Sequence, residues 1–209
     1  MKAMIFSAGL GTRFKPWTDK HPKALAIING KSLLQRNIEY LHQYDIRDVV
    51  VNIHHFPDQI IKTLDDNNGF GSRILISDES NEVLETGGGL LKAKHLFEPG
   101  EDFLTINVDI LTTLDIHQFL SFHRRQKSFV SLAVSNRKSS RCFVFNENDR
   151  LTGWRNLQTG EEKIKLESDR QFNRSFSGVS LLNYSFFDKL ALKGKFSLVD
   201  AWLSLAAQN

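Results

Sequence analysis

The sequence predicts an α/β fold, an open and mostly parallel sheet with helices on both faces. Three observations lead there. Apolar runs at Ala3–Phe6, Val49–Ile53, Ile74–Ile76 and Phe103–Ile106 are bounded by turn or polar residues, as buried strands are. Helical patterns separate them over about the first 125 residues, and such crossovers are what parallel neighbours require. Past about Ser128 the rhythm becomes richer in strands, with alternating or apolar stretches at Phe129–Val134, Phe143–Phe145 and Val179–Leu182.

The first helix follows Gly30. Ser32 and Gln35 have capping-box spacing, and Leu34, Ile38 and Leu41 return to one face. Pro57 suits a first helical turn, where its missing amide costs nothing, and Ile60, Ile61 and Leu64 supply an apolar face. Asp115 is placed to cap a further helix carrying Phe119 and Leu120. Glu147–Arg174 is polar and reads as a hairpin or a mobile insertion. Ser197 opens a last helical pattern, with Leu198, Trp202 and Leu205 on one face.

Length suits one domain of 209 residues, with a first half over about 1–125 and a second over about 126–209. A chain this long buries roughly 70% of its unfolded surface, and 41% hydrophobic residues supply an ordinary core. The single cysteine, Cys142, excludes an intramolecular disulfide and a cysteine-built zinc site, so a cytoplasmic setting is expected. The first apolar run is too short for a secretory signal, and no segment approaches the ~20 apolar residues of a membrane span. A net charge of +3 says little about nucleic acid. The basic clusters Arg124–Lys127 and Arg137–Arg141 lack an accompanying nucleic-acid motif and read as solvated surface.

The segment most informative about chemistry is Ala8-Gly9-Leu10-Gly11-Thr12-Arg13-Phe14-Lys15-Pro16, directly after the first strand, with Pro22-Lys23-Ala24-Leu25 following. Glycines let backbone amides approach phosphate oxygens, and Arg13 and Lys23 carry charge that can neutralise them. No Gly-Lys-Ser/Thr follows and a third glycine is missing, so neither a Walker loop nor a dinucleotide fingerprint is present. Taken alone, Gly9-Leu10-Gly11 reads equally as a tight turn. The triplet Gly87-Gly88-Gly89 opens an apolar helical run, either to present amides to an anion or base edge, or to permit close packing. Asp109 follows the Phe103–Ile106 strand, where open α/β sheets place ligands, and equally suits a turn or a helix cap. His54 and His55 point to opposite faces of a strand and make no metal site by spacing; a structural or substrate-rim role is expected. Cys142 has no neighbouring base and reads as a buried hydrophobe.

Gly9, Gly11, Thr12, Arg13, Pro16, Thr18, Pro22, Lys23 and Leu25, with Leu84-Glu85-Thr86-Gly87-Gly88-Gly89-Leu90, Asn107-Val108-Asp109 and Phe176-Ser177-Gly178-Val179, resemble the sugar-phosphate nucleotidyltransferases. Within that family the short uridylyltransferases acting on N-acetylmuramate 1-phosphate look most similar. The resemblance implies a Rossmann-like fold of the nucleotide-diphospho-sugar transferase type, and transfer of a nucleotidyl group from an NTP to a sugar 1-phosphate. It implies that Ala8, Gly9, Gly11, Thr12, Arg13, Lys23, Gly87 and Gly88 bind nucleotide, and that Glu85, Thr86, Asn107 and Gly178 bind substrate. Arg13, Lys23 and Asp109 would be catalytic, with Asp109 the ligand to Mg2+. The family more often has glycine at Val108 and an acidic residue near Cys142. Its Trp-x-Asp-Val-Gly segment, carrying a second metal aspartate, is not found in this sequence, and Asp200 is no convincing replacement. A monomer or small homo-oligomer is expected, without nucleic acid or membrane. A non-catalytic nucleotide or sugar-phosphate sensor, or a structural subunit, is the alternative.

Overall fold

The structure is a computed structural model and describes residues 1–207. β1 (Ala3–Phe6) is buried along its whole length. A small ribbon follows, β2 (Ile27–Ile28) against β3 (Lys31–Ser32). Then come α1 (Leu33–His42), β4 (Asp48–Ile53), α2 (Pro57–Asp66), β5 (Arg73–Asp78), α3 (Glu85–Lys92), β6 (Asp102–Asn107) and α4 (Ile116–Arg125). The second half holds β7 (Val130–Ser135), β8 (Arg141–Phe145), β9 (Leu151–Asn156), β10 (Glu162–Ile164), β11 (Phe172–Asn183), α5 (Phe186–Lys189) and α6 (Leu198–Ala206).

One nine-stranded sheet runs in the order β10-β9-β8-β11-β6-β1-β4-β5, with β7 also paired to β11. β1 lies between β4 and β6, and β5 lies outside β4, all parallel. β11 joins β6 in the antiparallel sense, and β7, β8, β9 and β10 continue that way. Successive strand residues face opposite sides of a sheet, so each central strand feeds two cores. Ala3, Ile5, Val49, Val51, Leu104 and Ile106 pack with Leu34 and Ile38 of α1, Ile60 of α2 and Phe119 of α4. Met4, Phe6, Val50 and Phe103 pack with Leu90 of α3, Phe186 of α5 and Trp202 of α6. Helices cover both faces, as the alternation predicts.

Two details differ from the sequence reading, and a third chooses between its alternatives. Ile74–Ile76 lies on the sheet-edge strand β5 and is not a buried run; Ile76 is 37% exposed, because only one side of that strand has a neighbour. The capping box is half made. Ser32 Oγ accepts from the Gln35 amide, but the Gln35 side chain turns to Glu39. The polar stretch Glu147–Arg174 supplies β9 and β10, so its hairpin reading is the one realised, with β9 pairing both β8 and β10. Asp115 and Ser197 cap α4 and α6 as expected. Among the described residues no helix is long and apolar enough to cross a membrane.

Candidate active site

The carboxyl ends of β1, β4, β5 and β6 emerge on one side of the parallel part of the sheet, because parallel strands share a direction. The segments leaving those ends carry most of the motifs, which is where open α/β sheets bind ligands.

After β1 the chain turns through Gly9–Phe14. Gly11 has φ +61°, and a Cβ there would lie 2.9 Å from both Lys23 Cβ and Thr18 Cγ2, so the turn requires glycine on two counts. Thr18 Oγ1 and the Phe14 amide both donate to the Gly11 carbonyl, at 3.0 and 2.8 Å, and fix the turn. Gly9, by contrast, faces open space, and Gly9, Thr12 and Arg13 are exposed while Ala8 is buried.

Lys23 stands on a single helical turn, Lys23–Leu25, and its ammonium forms an ion pair with Asp109 Oδ2 across 86 residues of sequence. The same Nζ lies 5.5 Å from the centre of the Phe14 ring. Gly11 and Phe14, both against Lys23, flank Thr12 and Arg13. Turn, lysine and carboxylate thus form one constellation. The Lys23 side chain is 14% exposed and that of Asp109 is 34% exposed, so the carboxylate is reachable from solvent.

Asp109 is aimed outward by its neighbours. Val108 N–H donates to the Phe6 carbonyl, Asn37 Nδ2 donates to the Val108 carbonyl, and the Val108 side chain enters the core beside α1. Val108, where the resembled family more often has glycine, is therefore accommodated inward, away from Asp109. On the adjacent β11, Gly178 has φ +79° at a bulge, and a Cβ there would collide with the Ile110 side chain and come within 3.4 Å of Asn107 Nδ2. Asn107 and Gly178 are thus side by side, next to Asp109.

Gly87 and Gly88 depart from the expectation that they present amides to a nucleotide. Both amides donate to the Phe196 carbonyl, at 2.9 and 3.1 Å. A Cβ on Gly87 would meet the Phe196 ring, and one on Gly88 would meet the Gly194 carbonyl. Thr86 Oγ1 accepts from the Leu198 amide at 3.0 Å, at the start of α6. Gly87, Gly88 and Thr86 bind the segment leading into α6, and at these two glycines the close-packing alternative is the one realised. Glu85 alone of this motif is exposed, with φ +59°.

Sequence reasoning missed Asn52 and Glu79. Asn52, on β4, accepts from the Ser7 and Ala8 amides through Oδ1 at 2.7 and 3.4 Å, and donates from Nδ2 to Glu79 Oε1 at 2.7 Å. Glu79 is fully buried; burial pushes its carboxyl above the usual range, and donation from Asn52 and the Leu84 amide opposes that. The available signal was position, since Glu79 stands one residue past β5, at a carboxyl end.

His54 and His55 are hydrogen-bonded to the carbonyls of Glu79 and Thr18. Cys142 is buried and free. A cavity of about 560 Å³ lies away from these residues, lined by Phe129, Leu132, Trp202 and Leu205 among others. The candidate site instead lies among the exposed segments at the carboxyl ends of β1 and β6.

Residues 2–151 match the family model described as "Nucleotidyl transferase". N-acetylmuramate alpha-1-phosphate uridylyltransferase of Caulobacter vibrioides is 40% identical over 109 residues, 51% of this chain and 45% of that protein. Mannose-1-phosphate guanylyltransferase 1 of Arabidopsis thaliana is 30% identical over 198 residues, 92% of this chain and 53% of that protein. The chain thus spans about half the length of these curated relatives. The crystal structure of HddC from Yersinia pseudotuberculosis complexed with GMP-PN superposes with a TM-score of 0.75 at 24% identity, covering 95% of this chain and 83% of that one. That likeness shows the nucleotide-diphospho-sugar transferase fold. With the family model covering most of its length, the chain belongs to the nucleotidyl transferase family.

Proposed function

We propose that this chain transfers a nucleotidyl group from an NTP to a sugar 1-phosphate, giving an NDP-sugar and pyrophosphate, with magnesium as cofactor. The observation that carries the reading is the Lys23–Asp109 ion pair beside the Gly9–Gly11 turn, which brings cation, carboxylate and free backbone together.

In this reading an oxygen of the sugar 1-phosphate attacks the α-phosphorus in line, and the bond to the β-phosphate oxygen breaks as pyrophosphate leaves. Backbone at Gly9 and Gly11 approaches the triphosphate, and Thr12 borders it. Arg13 and Lys23 lower the energy of the negative charge that gathers on the phosphoryl oxygens, a role that favours fixed donors over mobile water. Asn107 and Gly178 hold the acceptor within reach, and Glu85 lines the site. Both reactants held in one geometry convert an encounter into an intramolecular step.

Asp109 fits magnesium by donor chemistry. Its carboxylate is a hard oxygen donor, reachable from solvent, and already attracts a cation in the form of Lys23. Among the described residues no group of three or more His, Cys, Asp or Glu side chains gathers to hold a metal; magnesium needs none, since it typically keeps waters and takes one or two protein carboxylates beside substrate phosphates. Bound there, the ion supplies Lewis acidity to the phosphoryl oxygens. With Asp109 holding the ion, the Lys23 ammonium would be available to phosphate.

A panel of four NTPs against sugar 1-phosphates, with magnesium and a coupled pyrophosphate readout, tests the proposal. Pyrophosphate release that requires both substrates is the expected result. Tight NTP binding with no release in any pairing would favour the sensor.

A further inference from the structure

We infer that Glu79 is a positioning residue for the phosphate-binding turn, acting through the side-chain amide of Asn52. The inference rests on the proposed reading only in taking that turn to hold phosphates.

The geometry is a relay of hydrogen bonds with one permitted polarity. Glu79 is 0% exposed, and its two carboxylate oxygens meet donors only: Asn52 Nδ2 at 2.7 Å on one and the Leu84 amide at 3.2 Å on the other. Because the carboxylate only accepts, it holds the NH2 end of Asn52 toward itself and turns Oδ1 toward the Ser7 and Ala8 amides, 2.7 and 3.4 Å away. Ser7 Oγ donates in turn to the Asn52 backbone carbonyl, so both side chain and backbone of Asn52 clamp the first residues after β1. Ser7 and Ala8 lead directly into Gly9.

The carboxylate is itself held rigidly. The Glu79 amide donates to the Ile53 carbonyl, and its carbonyl accepts from His54 Nδ1 and the Glu82 amide. A Cβ on Gly89 would collide with Glu79 Oε1, so α3 leaves room for this acid. A buried carboxylate is costly unless every donor around it is used. Its retention beside the turn is explained by the orientation it imposes.

Substitution by glutamine tests the polarity. In Glu79→Gln the new side chain offers one acceptor and one donor, and the Leu84 amide is backbone that cannot reverse. The glutamine oxygen turns to Leu84, its NH2 faces Asn52, and Asn52 must flip, presenting a donor to the Ser7 and Ala8 amides. In nucleotide-free protein, Glu79→Gln is expected to speed amide hydrogen exchange at Ser7 and Ala8 by about tenfold, the loss of roughly one buried hydrogen bond. In the same protein the KM for NTP rises about tenfold with kcat within about threefold. Asn52→Asp alone sets two carboxylates face to face and also speeds exchange. The double variant E79Q/N52D restores an unbroken polarity, because the introduced glutamine donates to the introduced aspartate, which in turn accepts from Ser7 and Ala8. It is expected to return exchange to the wild-type rate.

Wild-type exchange at Ser7 and Ala8 in folded Glu79→Gln overturns the inference. So does a double variant whose losses multiply instead of cancelling. Should either single variant fail to fold, exchange in the double variant decides alone: protected amides support the relay and fast ones overturn it. Exchange needs no nucleotide, so a chain that turned over no NTP would remove the proposed function and leave this test standing.

Discussion

Gly9 stands exposed just after β1, whereas Gly87 and Gly88 are buried beneath the segment that leads into α6. Both segments follow strands whose carboxyl ends lie on the same side of the sheet, and the sequence reading expected both to bind nucleotide. The difference is in what fills the missing side chain. At Gly9 nothing lies within 4 Å, so backbone remains open to a ligand; at Gly88 the space is taken by the Gly194 carbonyl. Glycine supplies close approach in each case, and only the neighbour decides whether a ligand or the protein itself makes the approach. The proposed function thus draws on the open backbone at Gly9, and packing draws on the closed triplet.

Substitutions should separate the two regions. The largest effect belongs to the open side: Asp109→Asn is expected to lower turnover about 100- to 1,000-fold, as removal of one transition-state electrostatic contact does. Its partly exposed ion pair adds under about 1 kcal/mol to stability, so urea unfolding should scarcely move. Near-normal pyrophosphate release by this variant would break the assignment of Asp109.

On the closed side the balance reverses. Gly88→Ala drives a methyl against the Gly194 carbonyl and within 3.0 Å of Leu84 Cβ. It should destabilise the fold by about 1–3 kcal/mol, the usual cost of overpacking, while the folded fraction keeps its affinity for NTP. A selective loss of nucleotide binding at full stability would return the triplet to the ligand side.

Within the open turn, Gly11→Ala is expected to cost about 1–2 kcal/mol, since an alanine at positive φ is strained and its methyl would press on Lys23. Gly9→Ala should change stability by less than about 0.5 kcal/mol and show itself only as weaker NTP binding. Calorimetric titration beside thermal melts reads both, and equal stability losses at the two positions would contradict the geometry.

The smallest effect is remote from either glycine segment and gives a baseline. His123 is 1% exposed, and burial pushes its pKa below the usual value of 6.5, with Asp102 opposing. A depressed histidine binds its proton more readily when unfolded, so the stability it contributes is present above about pH 6.5 and lost as pH falls below it. Urea midpoints should therefore drop from about pH 7 to about pH 5.5, and His123→Gln should flatten that part of the slope.

The legible part of the site was the part written locally. The Gly9–Arg13 turn, Lys23 and Asp109 were found because each follows a strand or sits in a dense motif. The ion pair between the last two spans 86 residues and was inferred only as convergence on a shared ligand. Glu79 escaped because an acid in the polar stretch after β5 reads as an ordinary turn residue. Its partner Asn52, next to the last residue of an apolar strand, carried no sign of the amides it would meet on β1's continuation.

Periodicity and capping depend on residues a few positions apart, and they were enough to find most of the strands and helices and three of the caps. The same local patterns placed the glycine turn and the aspartate at strand ends. Which glycines stay open, where Gly87 and Gly88 send their amides, and how a buried carboxylate orients the turn through Asn52 were settled by packing alone. Those outcomes depend on which distant backbone arrives beside a given residue, and the local pattern of a chain does not specify its neighbours in space.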